Sequence, residues 1–172
     1  KRGLSMKKGS YHYFVEGDDD AKVINILKTD LRLIIPGKVQ IFNVMQEKIT
    51  NPRLMSLKAD TIVILVFDTD VGETTTLLDN IKILKKAPNV KDVFCITQVK
   101  KLEDELIRSC DIKQIKDLTG SRSNGDFKRD MLKDNAFAQK LKKHHFDFNI
   151  FWNSIDKNFC NVDNDAAKVK IK

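Results

Sequence analysis

The amino-acid sequence predicts an α/β fold, with a mostly parallel four-stranded sheet flanked by helices and a helical C-terminal extension. Short β-rich runs alternate with helical patterns up to about residue 100. One run, residues 61–67 (TIVILVF), is apolar throughout, which is typical of a strand covered by helices on both faces of its sheet. Helical periodicity then continues without an intervening strand. We therefore predict an α/β core at 6–100 and a helical part at 101–172, packed on the same domain.

The first half of the chain is predicted to contain two strand–helix units. Each strand is a run of β-branched, aromatic or alternating residues, and each is followed by apolar residues at helical spacing or by a helix-starting proline. We predict a strand at 11–15 (YHYFV), a helix capped by Asp18 or Asp19 and running to Asp30, a strand at 38–43 (KVQIFN) with one buried face, and a short helix at 52–57.

The second half begins with the apolar strand and ends in helices. The order of patterns predicts a strand at 61–67, an amphipathic helix at 74–86, a strand at 90–96 (VKDVFCI), and then helices in LEDELIRSC, DIKQIKDL, DFKRDMLKD and FAQKLKKH. Phe146, Phe148, Phe151 and Trp152 are predicted to form an apolar cluster that anchors the C-terminal segment.

Composition limits the class of protein. Of the residues, 41% are hydrophobic, which is enough for a substantial core, and the net charge of +7 favours a polyanionic partner such as nucleic acid.

No run approaches the roughly 18 apolar residues of a membrane-spanning helix. The segment KRGLSMKKGS lacks the apolar core of a secretory signal, and Met6 is a plausible native start. The three cysteines, including Cys160, have no CxxC spacing. We therefore expect no membrane partner and a cytoplasmic location.

Acidic residues follow two predicted strands at the point where each strand ends. Glu16 follows the first strand, and Asp68 and Asp70 follow the apolar strand. Ligands of open α/β sheets bind beyond the carboxyl ends of the strands, so these carboxylates are expected to converge. Three carboxylates at one place repel each other unless a cation neutralises them, and oxygen ligands without histidine or thiolate favour Mg²⁺ or Mn²⁺. The pattern predicts a site for one or two such ions.

These residues carry a family resemblance. The segment FVEGDDDAKV resembles the first motif of the Toprim domain, a strand ending in Glu-Gly with an acid a few residues later. The segment TIVILVFDTDVG, roughly 50 residues on, resembles the second motif, a strand ending in Asp-x-Asp-x-Gly. The resemblance covers about residues 11–98 and implies a Toprim-like, Rossmann-like fold. It also implies that Glu16, Asp68 and Asp70 are metal-binding and catalytic residues, with Asp20 as an additional metal ligand.

The downstream sequence is similar to that of OLD-family Toprim nucleases. LEDEL resembles the start of a helix that carries a second-metal ligand in that group, which implies Glu103 first and Glu105 next. A basic residue late in the domain is also typical, and Lys128 or Lys133 fits that role. The resemblance implies a Mg²⁺- or Mn²⁺-dependent hydrolase of DNA or RNA, of the kind found in antiphage or mobile-element systems. GxxxxGK[ST] is absent, so a separate regulatory ATPase or other subunit is an expected partner.

Three alternatives remain open from the residues. A Toprim fold can bind nucleic acid or a protein partner without cutting, as RecR-like proteins do. VFDTDV also resembles the nucleophile motif of haloacid-dehalogenase-like phosphatases, in which Asp68 would be attacked by phosphate. That motif belongs on the first strand of its domain, whereas at least two strand–helix units precede it here. A response-regulator receiver is disfavoured by Asp-x-Asp and by the long helical C-terminal part.

Overall fold

The computed structural model describes residues 9–159 and 161–171. Met6 and Cys160, on which sequence predictions were made, lie outside the described residues. Within the described ranges, no helix combines the length and the apolar character needed to cross a membrane.

The four strands form one sheet in the order β2-β1-β3-β4, and every neighbouring pair is parallel. The strands are β1 (Tyr11–Val15), β2 (Lys38–Ile41), β3 (Thr61–Asp68) and β4 (Val90–Gln98). β3 lies between β1 and β4, where both of its faces are covered, as its continuous apolar run predicted. The predicted α/β class with a four-stranded parallel sheet is confirmed.

Helices connect and follow the strands. They are α1 (Asp18–Asn25), α2 (Asn51–Met55), α3 (Thr75–Lys86), α4 (Leu102–Ser109), α5 (Lys116–Thr119), α6 (Phe127–Lys133) and α7 (Phe137–Lys143), with a π-helical turn at Ile26–Asp30 and 3-10 turns at Asn124–Asp126 and Ala166–Lys168. In the part of the chain that is described beyond residue 101, the strand-like pairing is one antiparallel bridge between Ile34 and Lys170. The described residues of this part are largely helical up to Lys143, and from His144 onward they are mainly turns and loops.

Several predicted element boundaries were wrong: the short helix is Asn51–Met55, and the helix predicted in DIKQIKDL is reduced to Lys116–Thr119. The first helix is not capped by an aspartate, since Gly17 is its N-cap and Asp20 accepts the Gly17 N–H. The second strand ends at Ile41, which is 46% exposed, because β2 is an edge strand with less cover than the centre of the sheet. The last strand extends two residues beyond 96, to Gln98. This extension carries a buried polar side chain to the carboxyl edge of the sheet.

Two apolar clusters pack against the two faces of the sheet, because successive strand residues point to opposite sides. One cluster joins Phe14 and Leu65 to Leu77 and Leu84 of α3. The other cluster joins strand residues of the opposite face to α1 and to the helical C-terminal part, and its members include Tyr13, Val15, Ile64, Val66, Leu106, Phe127, Phe137 and Trp152. Strand residues and the C-terminal part therefore share one core.

Candidate metal centre

Glu16 and Asp68 meet at the carboxyl edge of the sheet. β1 and β3 are direct neighbours, with Val15 opposite Val66, so the residues that follow them emerge side by side. Glu16 Oε1 accepts a hydrogen bond from the backbone N–H of Asp68 at 3.2 Å. Both side chains are half-buried. The predicted convergence of these two acids is therefore observed in the structure.

The Asp68-Thr69-Asp70 turn places its threonine away from the two aspartates. Thr69 is buried and donates its hydroxyl to Asp156 Oδ2 at 2.8 Å, while it accepts the backbone N–H of Lys100 at 2.9 Å. Asp70 is exposed, and its charge raises the pKa of both Glu16 and Asp68. Asp70 is therefore close enough to act electrostatically on the same site.

Asp20 is the fourth carboxylate at this edge and the most buried of the four, with 5% of its surface exposed. It lies in the first turn of α1, where Oδ2 accepts the Gly17 N–H at 3.2 Å. Its other oxygen, Oδ1, accepts a hydrogen bond from Gln98 Nε2 at 2.9 Å. One oxygen of Asp20 therefore starts the helix and the other faces the site.

Gln98 connects these acids and was not predicted as a site residue. Its Nε2 donates to Asp20 Oδ1 and to Asp68 Oδ1, each at 2.9 Å, and its Oε1 accepts the indole N–H of Trp152 at 3.2 Å. Gln98 is 1% exposed. A polar residue directly after VFCIT was the available signal, because a strand continued by two residues would end on Gln98 at the edge where ligands bind.

Burial and mutual repulsion hold protons on these carboxylates. Burial, followed by the charges of Glu16 and Asp20, raises the pKa of Asp68 to about 9. Burial is also the largest cause for Glu16, whose pKa rises to about 7 despite the hydrogen bond from Asp68 N–H. Burial and the charge of Asp19 raise the pKa of Asp20 to about 7. Near neutral pH, the site is stabilised either by protons or by a cation.

Two further predicted residues lie at the edge of this group. Burial raises the pKa of Glu103, and the charge of Asp19 adds to the effect. The charge of Glu103 in turn raises the pKa of Asp20, so Glu103 is within electrostatic reach of the site. Lys128 projects from α6 with its Nζ 3.8 Å from Asp19 Oδ1, and its side chain is 56% exposed. The structure therefore brings Glu103 and Lys128 towards the predicted centre.

Glu105 and Lys133 have other surroundings. Glu105 is fully buried, and its oxygens accept the backbone N–H groups of Val99 at 2.8 Å and Trp152 at 3.1 Å, with Arg108 Nη2 at 3.1 Å. These contacts join α4 to the end of β4 and to the C-terminal segment. Lys133 is exposed at the last residue of α6. We therefore interpret Glu105 as a structural carboxylate and leave it out of the proposed ligand set.

Replacement of Glu105 by alanine is expected to lower the free energy of unfolding by about 3 kcal/mol. The reason is that two buried N–H groups lose their acceptor and Arg108 loses its partner. Urea unfolding measures the change. Asp104→Ala, which removes a half-exposed acid of the same helix, is the matched control and is expected to change stability by less than about 0.5 kcal/mol. Equal losses in the two variants would contradict the structural role of Glu105.

In the described ranges, 9–159 and 161–171, no three carboxylate, imidazole or thiol side chains are arranged so that they could hold a metal ion as they stand. The Gln98 amide lies between Asp20 and Asp68, and the Glu16 carboxylate accepts a hydrogen bond from the Asp68 N–H.

Comparison with family models, curated proteins and solved structures returned no match for this chain. The resemblance to Toprim domains thus rests on the two motifs, and the parallel α/β fold is what the structure establishes.

Proposed function

We propose that this chain is a Mg²⁺- or Mn²⁺-dependent phosphodiester hydrolase of nucleic acid, with a Toprim-type centre. The observation that carries the proposal is the meeting of four carboxylates, Glu16, Asp20, Asp68 and Asp70, at the carboxyl edge of a parallel sheet. Three of them have a pKa raised to about 7 or above. Buried acids with strongly shifted pKa values in a ligand-binding position mark candidate functional sites.

The chemistry of the donors fits a hard divalent cation. All four side chains offer oxygen, which Mg²⁺ and Mn²⁺ prefer, and a cation would relieve the repulsion that adds to burial in raising the pKa values of Glu16, Asp20 and Asp68. Glu16, Asp68 and Asp70 would hold the first ion, and Asp20 with Glu103 would serve a second one. A bound ion would stabilise charge developing on the phosphodiester and lower the pKa of a water nucleophile. A carboxylate has about four lone-pair sites, so Asp20 and Asp68 can contact a cation while their Oδ1 atoms keep the hydrogen bonds from Gln98.

Basic groups of the chain would orient the substrate. The side chain of Lys128 is more than half exposed, and its Nζ lies 3.8 Å from Asp19 Oδ1, next to the proposed ligand Asp20. Its ammonium can therefore contact a phosphate next to the metal-binding acids. The net charge of +7 supports binding of a polyanion despite this acidic centre. In this proposal the acids hold the cation, and Lys128 contributes to phosphate binding.

A cleavage assay with the purified chain tests the proposal. End-labelled DNA and RNA, each single- and double-stranded, are incubated with MgCl₂, MnCl₂ or EDTA. We expect cleavage of at least one substrate with a divalent ion and none with EDTA. Absence of cleavage with both ions would contradict the hydrolase. Metal and nucleic-acid binding without cleavage would instead support the non-catalytic alternative, and trapping of a phosphate analogue on Asp68 would support the phosphatase alternative.

A further inference from the structure

We infer that Gln98 is the positioning residue of the acidic site, and that Trp152 in the C-terminal part fixes the direction of the Gln98 amide. The inference rests on the proposed metal site and describes how its affinity is controlled. Gln98 and Trp152 are each 1% exposed, so the contact between them is shielded from water. The carboxamide lies between the carboxylates on one side and the indole on the other.

The hydrogen bonds of the amide allow one orientation. An indole N–H can only donate, so the group of Gln98 that faces Trp152 has to be the acceptor Oε1. Nε2 then faces Asp20 and Asp68, and both of its protons are used at 2.9 Å. The reversed amide would place an oxygen against two carboxylates and an NH₂ against the indole N–H. It would lose the hydrogen bond from the indole and set two donors against each other in a buried place, where unsatisfied polar groups are costly.

Trp152 is itself held in place by hydrogen bonds of its backbone and by contacts of its ring. Its N–H donates to the buried carboxylate of Glu105 at 3.1 Å, and its carbonyl accepts Asn164 Nδ2 at 2.8 Å. The ring packs against Phe151 and Phe148, with ring centroids 4.8 and 6.4 Å away. The position of the indole is therefore determined by α4 and by the C-terminal segment.

These contacts form a continuous path from the C-terminal aromatic cluster to the carboxylates. The path fixes the positions of the Asp20 and Asp68 carboxylates in the metal-free protein, because the Oδ1 atoms of both accept hydrogen bonds from Gln98 Nε2. Residues that orient metal ligands without touching the metal commonly change metal affinity 10- to 100-fold when they are removed. The C-terminal part thus controls the affinity of a site formed mainly by the sheet and α1.

Mn²⁺ binding tests the inference independently of catalysis. The probe is Mn²⁺ alone, and bound ion is measured by the loss of the free-ion EPR signal at pH 7.5. Trp152→Phe keeps an aromatic ring and removes the N–H, while Gln98→Met keeps the length and removes the amide. Each is expected to weaken Mn²⁺ binding about 10-fold. The double variant is expected to bind no more weakly than Gln98→Met, because both changes act through one amide.

Phe137→Leu is the matched control, because it perturbs a buried aromatic side chain of the same core whose ring neighbour is Phe127, outside the path to the amide. We expect it to lower thermal stability and to leave Mn²⁺ affinity unchanged. Thermal unfolding of every variant shows whether it is folded, and Gln98→Met still tests the inference if Trp152→Phe does not fold. Wild-type affinity in folded Gln98→Met would overturn the inference while the metal site stands. Absence of Mn²⁺ binding by the wild type would overturn both the proposed metal site and the inference.

Discussion

Replacement of Asp68 by asparagine is expected to abolish cleavage, with a loss of at least about 1,000-fold, and at the same time to stabilise the metal-free fold. Asparagine has nearly the shape of aspartate but no charge, so it removes the central anionic ligand that the proposed cation requires. Asp68 is the acid whose pKa is raised most within the group, to about 9. Among Glu16, Asp20 and Asp68, its ionised form is therefore the least tolerated in the absence of metal.

The stabilising part of this prediction follows from the repulsion at the site. In the wild type, Asp68 near neutral pH either keeps a proton or faces the charges of Glu16 and Asp20, and both states cost free energy relative to the unfolded chain. We expect Asp68→Asn to raise the free energy of unfolding by on the order of 2 kcal/mol at pH 7.5 in EDTA. Opposite changes in activity and stability are typical of functional acids and are not expected of structural ones.

Asp18→Asn is the control for this experiment. Asp18 is an exposed acid at the start of α1, only two residues from Asp20, so its removal changes the net charge equally without removing a proposed ligand. Cleavage is followed on the substrate found in the assay described above, and stability by urea unfolding. Retention of cleavage by Asp68→Asn would refute the proposed site. A loss of stability in that variant would show that Asp68 is a structural carboxylate.

The strands were predictable because their sequence patterns are strong, but their order in the sheet was not. The apolar run of β3 requires cover on both faces, and this alone places it in the interior of the sheet. The contact between Glu16 and Asp68 depends on β1 lying directly beside β3, which is a property of the tertiary fold. The acids could therefore be predicted to share an edge, whereas their hydrogen bonds could not.

The role of Glu105 could have been predicted from helical spacing. Leu102, Glu105, Leu106 and Ser109 are the buried residues of α4, and they follow the i, i+3, i+4, i+7 pattern of one helix face. The resemblance of LEDEL to a metal-binding helix start implies both glutamates as ligands, whereas the phase of the helix separates them, since it places Glu105 on the buried face and leaves Glu103 off it. Gln98 was missed for a different reason, because polar residues at a strand's end resemble the start of a loop.

A second large effect is expected in the dependence of stability on pH and metal. Glu16, Asp20 and Asp68 have pKa values of about 7, 7 and 9 in the folded protein, above those of ordinary unfolded carboxyls near 4. The folded state therefore binds more protons than the unfolded state between about pH 4 and pH 9. Stability then falls as the pH rises through this window, because ionisation is easier in the unfolded chain.

We expect the free energy of unfolding in EDTA to fall by several kcal/mol from pH 5 to pH 8, since each proton that the folded state retains more strongly contributes up to about 1.4 kcal/mol per pH unit. His12 acts in the opposite direction, since burial lowers its pKa and its protonation destabilises the fold at the acidic end. Carboxyls whose pKa is lowered, such as Asp156, are ionised in both states across this interval and do not contribute. Burial also raises the pKa of Glu105, which lies outside the proposed ligand set, so the part of the fall that Asp68→Asn removes is the part assigned to the acidic site.

A divalent metal ion is expected to reverse the fall of the free energy of unfolding with rising pH. Ligands must lose their protons to bind Mg²⁺, so affinity rises through the same pH window in which the metal-free protein loses stability. Urea unfolding at several pH values, with EDTA or with about 10 mM MgCl₂, measures both slopes. Asp68→Asn should flatten the fall in EDTA and remove most of the stabilisation by Mg²⁺, whereas Asp18→Asn should preserve both. If the wild type shows the same slope with and without Mg²⁺, the four carboxylates do not form a cation site.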